Sequence, residues 1–242
     1  MKKIIGLRFV VIAVLSCLVT GCSVYTPTCT DIPLIREKGE MQIEGAVVAA
    51  DEVALRATVA YGFTDHFAAA ASIDPQRRYY QALAGAYFPV GDRFVWELYG
   101  GAGYGRGYNY RDSDPGLDSY GRHWLVFVQA DAGWQNLTRF LNMDIAFSLK
   151  TGYMNRDLNV GDGTVMVTDT VSGITQWYGI HHYAEEHCLL VEPTVEVRFG
   201  WEHFKFNVKA GYAHLFGSKE GQYAPLSFGV GMSYRFNARN KR

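Results

Sequence analysis

Four side chains that can bind a metal ion lie close together near residue 185: His181, His182, His187 and Cys188. Imidazole nitrogens and thiolates are the ligands that zinc prefers in proteins. The helical zinc motif has two histidines four positions apart, whereas His182 and His187 are five apart. The four residues therefore stay candidates beside a plain polar loop, and the sequence predicts no metal or other cofactor.

Paired carboxylates are a second group with catalytic potential. Asp112, Asp114 and Asp118 stand together in a segment rich in turn-forming residues. Some ten-stranded outer-membrane proteases use paired aspartates, but those enzymes also need an Asp-x-His pair, and we find none here. A solvated turn is the simpler interpretation of this segment.

Serine and histidine could supply a nucleophile and its base only if they share a face. Ser148 and His214 fall on different faces of the strands predicted below, and no motif marks Ser119 with His123. The sequence therefore predicts no enzyme and no catalytic residue.

The first residues have the features of a targeting segment. Lys2, Lys3 and Arg8 give a positive start, and residues 4–19 are almost all apolar. This run is shorter than the roughly 20 residues of a transmembrane helix and is typical of a signal peptide. Val19, Thr20, Gly21 and Cys22 follow, and this sequence resembles the lipobox of bacterial lipoproteins. An ordinary signal peptide with an accidental Cys22 is the alternative.

The lipobox resemblance implies that residues 1–21 are removed and that Cys22 carries covalent lipid, including palmitate. Ser23, in place of an aspartate, favours the outer membrane in that family. Residues 22–40 contain Pro27 and Pro33, which favour an extended chain. We therefore expect a lipidated periplasmic tether with its anchor in the inner leaflet.

Two further cysteines, Cys29 and Cys188, remain in the mature chain. A disulfide could form in an oxidising envelope. The predicted topology puts the two thiols at opposite ends of the barrel, too far apart for a bond, so we expect both to be free.

Apolar and polar residues alternate from residue 41 onward, which is the pattern of β-strands with two different faces. Several of the alternating stretches exceed ten residues, longer than most strands of soluble proteins. The sequence predicts an all-β, transmembrane, antiparallel up-and-down barrel over residues 41–236, followed by a tail over 237–242. We expect about ten strands, with eight as the alternative: 41–49, 53–63, 66–74, 79–88, 93–107, 122–135, 140–154, 188–201, 203–215 and 225–236.

Short connections alternate with the long segments 108–121 and 155–187, as periplasmic turns alternate with extracellular loops in membrane barrels. Aromatic residues cluster at two levels of the apolar rows, as expected at the two membrane interfaces. Near the short turns these are Phe63, Phe88, Phe94, Trp134, Phe140, Trp201, Phe204 and Phe236, and near the long loops Tyr104, Trp124, Tyr153 and Tyr212. A soluble barrel or sandwich on a lipid tether would instead turn its apolar rows inward.

The polar rows carry charges of both signs, which can pair inside a narrow barrel. This predicted lumen network consists of Glu44, Arg56, Glu97, Asp131, Asp144, Lys150, Glu192, Glu196, Arg198, Lys205, Lys209 and Arg235. The last strand contains Gly231, Tyr234 and Phe236, which resemble the C-terminal signal that the barrel assembly machinery recognises. The six residues after Phe236 depart from that pattern.

The sequence around Lys38-Gly39-Glu40 and residues 61–66 is similar to uncharacterised barrel lipoproteins of Gram-negative envelopes, over about thirty residues. The net charge of −1 indicates no nucleic-acid partner. We expect a non-catalytic outer-membrane lipoprotein, an accessory or structural component of the cell envelope. Its expected partners are outer-membrane lipid and, through the extracellular loops, another envelope protein or a surface glycan. A small pore, or an enzyme acting on lipid A or peptides, is the alternative.

Overall fold

The computed structural model describes residues 24–27, 29–109, 118–138, 141–168, 175–220 and 223–238. These residues form eleven antiparallel strands: β1 (Glu40–Ala49), β2 (Val53–Gly62), β3 (Phe67–Asp74), β4 (Tyr79–Val90), β5 (Phe94–Asn109), β6 (Ser119–Trp134), β7 (Asp144–Thr168), β8 (Thr175–Gly200), β9 (Phe204–Tyr212), β10 (His214–Phe216) and β11 (Leu226–Asn237). No helix among the described residues is long and apolar enough to cross a membrane.

Each strand from β1 to β8 pairs with the next one along the chain. Strand β9 pairs with both β8 and β11, and β11 pairs with β1 from Glu40↔Asn237 to Ala49↔Phe228, so the sheet closes on itself. The short β10 follows β9 after Ala213 and continues the pairing with β8. Eleven strands thus occupy ten positions, which confirms the predicted up-and-down barrel of ten strands.

The two faces of the wall differ in chemistry because successive side chains of a strand point to opposite sides. On β7, Asp144, Ser148 and Lys150 are buried in the lumen, whereas Phe147 and Leu149 are exposed on the outside. The other strands repeat this arrangement, with an apolar outer wall and a charged interior. That is the inverse of a soluble barrel and the arrangement of a membrane barrel.

The strands rise to different heights around the barrel. We call the end where β11 finishes the lower end and the opposite end the upper end. Strands β7 and β8 have 25 and 26 residues, while β1 has 10 and β3 has 8. The upper rim is therefore low on the β1–β4 side and high at β7 and β8. The prediction of a loop over 155–187 is wrong, because most of these residues extend the paired strands β7 and β8.

The segment before β1 runs through the lumen from the upper end to the lower end. We call residues 24–27 and 29–36 the lumen segment. Tyr25 forms a parallel bridge with Tyr223, which precedes β11 at the upper end. Arg36 donates a hydrogen bond to the carbonyl of Gly91, in the turn between β4 and β5 at the lower end.

This placement differs from the predicted tether outside the barrel over residues 22–40. Cys29, Thr30, Leu34 and Ile35 have no exposed surface, and Ile32 retains 1%. The physical reason is that apolar and hydrogen-bonding groups of the segment are more stable against the lumen wall than in water. Residues 1–21 and Cys22 lie outside the described residues, as do residues 239–242 of the predicted tail.

The path of the lumen segment can be tested with a disulfide. Bridged residues have Cα atoms within the range of a disulfide, so Tyr25→Cys with Tyr223→Cys, in a chain with Cys29→Ser and Cys188→Ser, should cross-link on oxidation. The cross-link should change migration on a non-reducing gel. Tyr25→Cys with Tyr234→Cys is the matched control, because Tyr234 is exposed on the outer wall. Equal cross-linking of the two pairs would contradict a segment inside the barrel.

Candidate functional site

The centre of the lumen is organised around Asp31 of the lumen segment. Its carboxylate accepts hydrogen bonds from Arg56 Nε at 3.0 Å and from Arg56 Nη2 at 2.5 Å, and Lys209 Nζ lies at 3.7 Å. All three side chains are at most 3% exposed. Lys209 also pairs with Glu44 and lies 3.9 Å from Glu196. The segment therefore supplies a carboxylate to cations that the wall buries.

One level lower, Glu97 holds the backbone of the segment. The N–H groups of Leu34 and Ile35 donate to the two carboxylate oxygens at 2.9 and 2.7 Å, and Tyr99 donates its hydroxyl proton at 3.0 Å. Leu34 has a φ of +53°, and successive N–H groups around a left-handed residue form a concave site for an anion. Glu97 thus receives three hydrogen bonds without a salt bridge to a cation among the described residues.

The carbonyl groups of the segment also have partners on the wall. Gln129 Nε2 donates to the carbonyl of Asp31 at 2.8 Å, and Gln135 Nε2 donates to that of Leu34 at 2.7 Å. Arg198 donates to the carbonyl of Ile32. Buried backbone groups need such partners, so the wall recognises the main chain of the segment as well as its side chains.

Glycines on the inner wall make room for the segment. A β-carbon on Gly107 would lie 1.8 Å from the carbonyl oxygen of Val24, and one on Gly133 would lie 2.7 Å from the side chain of Leu34. At Gly107 the backbone of the segment is too close for any side chain, and at Gly133 a side chain would have to displace that of Leu34. The inner surface is therefore shaped to the segment near the upper end at Gly107 and near the lower end at Gly133.

All twelve predicted network residues point into the lumen, and all but Arg235 are at most 6% exposed. Besides the contacts of Lys209, the ion pairs within the wall include Lys150–Glu192 at 2.9 Å, Arg198–Glu196 at 2.8 Å, Lys205–Asp144 at 2.5 Å and Arg235–Glu40 at 3.0 Å. Asp131 accepts a hydrogen bond from Gln129 at 2.8 Å.

Two features of the network were missed from the sequence. Asp31 lies in a segment without strand periodicity. The second is the buried pair of Arg156 and Glu186 near the upper end, which belongs to extensions of β7 and β8 within the predicted loop 155–187. The signal for the first was available, since Ile32, Leu34 and Ile35 are unusually apolar for a tether in water.

A cavity of about 460 Å³ opens at the upper end above the lumen segment. Val24 and Thr26 line its floor, Glu52 and Arg77 lie on its low side, and Tyr108 lies on its high side. The low side consists of the turns that join β1 to β2 and β3 to β4. The start of the described chain is therefore at an open mouth on the upper side.

The four metal-ligand candidates do not converge. Glu186 and Cys188 point inward on β8, whereas His187 is outside and stacks on Tyr153. His181 faces Tyr120, and His182 Nδ1 lies 2.8 Å from Asp162. In the described part of the chain, no group of three or more histidine, cysteine or acidic residues could hold a metal ion.

His182 lies in the part of β7 and β8 that rises beyond the other strands. We call this part, residues 160–168 and 175–187, the β-ribbon. The hydrogen bond with Asp162 raises the pKa of His182 above its usual value. Protonation therefore strengthens a contact between the two strands of the β-ribbon.

The two remaining thiols are free, as predicted, but they do not lie at opposite ends of the barrel. Both face the lumen, where Cys29 Sγ is 3.1 Å from Ser227 Oγ and Cys188 Sγ is 4.0 Å from Glu186. Each thiol therefore has its own partner on the wall, Ser227 on β11 for Cys29 and Glu186 on β8 for Cys188.

The other candidates for catalysis remain separate. Ser148 is buried in the lumen, and His214 lies 3.4 Å from the hydroxyl of Tyr223 near the upper end. His123 stacks on Tyr79, while Ser119 Oγ accepts a hydrogen bond from the N–H of Gly161. Of the three aspartates, Asp118 is buried. Asp112 and Asp114 lie outside the described residues.

The residues of the predicted assembly signal lie where β11 closes the barrel against β1. Tyr234 is 48% exposed on the outer wall and packs on Phe236. A β-carbon on Gly231 would lie 2.5 Å from the carbonyl oxygen of Gly45, so glycine is needed where the first and last strands meet.

The predicted aromatic residues lie on the outer wall at both levels. Trp201 packs on Phe204 and Phe94 on Trp134 toward the lower end, and Trp124 packs on Tyr153 toward the upper end. Phe140 lies outside the described residues. The apolar band is therefore bordered by aromatic rings above and below.

The pair of Arg56 and Asp31 should be strongly coupled because both groups are buried. We expect Arg56→Met or Asp31→Asn alone to lower the free energy of unfolding by about 3 kcal/mol. Asp31→Asn leaves the buried Arg56 without its carboxylate, and Arg56→Met leaves Asp31 with only the more distant Lys209. The double substitution should cost less than the sum of the two. Denaturant titration in phospholipid vesicles measures all three.

Arg122→Met is the matched control for that cycle. Arg122 pairs with Asp157 on the outside and its side chain is 65% exposed, and exposed pairs contribute little. We expect an almost unchanged titration. Additive effects of the Arg56 and Asp31 substitutions would show that the segment is not bound through this pair.

No protein-family model matches the chain, and no curated protein matches it. Solved structures that are similar to it are outer-membrane β-barrel proteins. The N-terminal barrel domain of OprF from Pseudomonas aeruginosa has 12% identity and a TM-score of 0.36 over 82% of this chain and 98% of that one. Ail, the attachment invasion locus protein of Yersinia pestis, has 12% identity and a TM-score of 0.31 over 82% and 99%. At these scores the similarities carry no argument about activity.

Proposed function

We propose that this chain is a non-catalytic outer-membrane lipoprotein of a Gram-negative envelope. In this proposal the barrel is closed by its own N-terminal segment and serves as an accessory or structural platform, and the β-ribbon binds a partner. The lumen segment is the observation that carries the proposal. A barrel whose lumen is filled by its own chain has no open path for solutes, so its function is not transport through the lumen.

The outer wall supports a membrane location. Large apolar side chains such as Leu55, Val128 and Val230 are 52–58% exposed there, which water would disfavour and hydrocarbon would not. The start of β1 and the end of β11 are both at the lower end. The lower end is the periplasmic side in this proposal, because the turns there are short and the extended strands lie opposite.

Contacts of the segment on many sides of the lumen argue against the small pore. The segment binds β2 through Arg56, β5 through Glu97, β6 through Gln129, β8 through Thr194 and β11 through Ser227. A ten-stranded barrel is narrow, and these contacts occupy the middle of it.

The β-ribbon supports a role in binding. Trp177, Tyr183 and Met166 are 56–66% exposed beyond the membrane wall. Exposed aromatic and methionine side chains are enriched in protein interfaces. The proposed partner is therefore another envelope protein that covers this surface, and a surface glycan is the alternative outcome of the test below.

Lipidation of Cys22 is part of the same proposal and rests on the lipobox resemblance. The Cys22 thiolate would take a diacylglyceryl group from a phospholipid. A carbon–sulfur bond forms, the carbon–oxygen bond to the phosphate headgroup breaks, and the thiol proton goes to a base. Water then hydrolyses the peptide bond between Gly21 and Cys22.

Conductance tests the closed lumen. The full chain in a planar bilayer should give no steady open channels, because the segment fills the interior. A chain that lacks residues 24–35 but keeps the connection to β1 should conduct, provided that its gel migration shows a folded barrel. Steady channels from the full chain would refute the proposal in favour of the small pore.

Cross-linking in intact cells tests the β-ribbon. Trp177→Ser with Tyr178→Ser should abolish cross-linking to an envelope protein, since both exposed rings are lost. Trp201→Ser is the matched control, because Trp201 is 65% exposed and Trp177 is 66% exposed, but Trp201 lies at the lower end. A partner that is retained by the first variant, or lost equally from both, would count against the β-ribbon.

A further inference from the structure

We propose that the lipid on Cys22 leaves the barrel at the extracellular end, so that it anchors the protein in the outer leaflet rather than the inner one. This inference rests on the proposed lipidation of Cys22. It reverses the expected position of the anchor, and the direction of the lumen segment is the observation behind it.

The distance from Cys22 to the described chain decides between the two leaflets. Two residues span at most about 7 Å between Cα atoms. Val24 touches the backbone of Gly107 and approaches Gly121, and these lie three positions above Tyr104 and Trp124 on their strands. The hydrocarbon layer around a barrel is about 25 Å thick. Cys22 therefore stays within reach of the upper end and cannot return to the lower one.

The shape of the upper rim offers the lipid a way out. The cavity above Val24 is bordered on its low side by Glu52 and by Arg77. Immediately beyond that rim Val53 is 70% exposed and Tyr80 is 50% exposed on the outer wall. An acyl chain that crosses the low rim thus passes directly from the cavity mouth to apolar surface.

A shallow groove of about 650 Å³ lies on the outer wall below this rim. Ala71, Ala82 and Ala102 form its floor in one register across β3, β4 and β5, and Tyr80 and Tyr104 stand beside it. Small residues flanked by rings leave a depression in an otherwise bulky wall. We assign this groove to the acyl chains of Cys22, because the chain end nearest to it carries them.

Thiol labelling combined with mass measurement tests the position of the anchor. Thr26 lines the open cavity, so a membrane-impermeant maleimide should label Thr26→Cys in intact cells. The unsubstituted chain sets the background, since Cys29 and Cys188 are buried. Asp92→Cys, in a turn at the lower end, should be labelled only after the outer membrane is permeabilised.

The mass of the same labelled protein separates the two proposals. Labelling of Thr26→Cys in intact cells on a protein that carries the acyl mass supports the outer-leaflet anchor. Labelling only after permeabilisation, or no labelling at all, overturns it. A mature chain without acyl mass would refute the proposed lipidation and the anchor with it, whereas labelling would still report where the segment emerges.

The groove has its own test. The acylated protein should unfold at a higher temperature than a Cys22→Ala chain exported by a signal peptide without a lipobox. Ala82→Phe fills the groove and should remove that difference. Ala130→Phe, an outward alanine on β6 outside the groove, should leave the difference unchanged. Equal effects of the two substitutions would overturn the assignment of the groove.

Discussion

Arg56 carries a charge inside the lumen, and the carboxylate beside it comes from the segment rather than from the wall. A charge away from water needs a partner, so the wall alone is incomplete at this level. Asp31 provides the partner for Arg56 and approaches Lys209 as well. The rest of the interior follows from this contact, because Asp31 fixes the register in which Glu97 meets the N–H groups of Leu34 and Ile35.

The wall was predictable from the sequence for a physical reason. A strand with lipid on one side and a charged lumen on the other must alternate with a period of two. That period located the ten strand positions and assigned an inward direction to residues such as Glu97 and Lys150. The alternation of apolar and polar residues does not mark the β-ribbon. There β7 and β8 have water on both sides, so their sequence needs no alternation.

The lumen segment was not predictable by these rules. The segment is not a strand of the barrel, so strand periodicity does not locate it. Its two prolines favour an extended chain in any surroundings. Its partners are remote in sequence, as Lys209 is from Asp31. The predicted network has six acidic and six basic side chains. Because these numbers balance, the predicted wall gives no sign that a further carboxylate is needed. Only the apolar character of Ile32, Leu34 and Ile35 indicated that this stretch leaves water.

The connection between the lumen segment and β1 is very short, since Arg36 is at the lower rim and β1 begins at Glu40. A segment tethered this closely has a high effective concentration at its own binding site. If it left the lumen, it would return before any dissolved competitor could occupy the site. The closed state is therefore a property of a single molecule, independent of expression level or dilution.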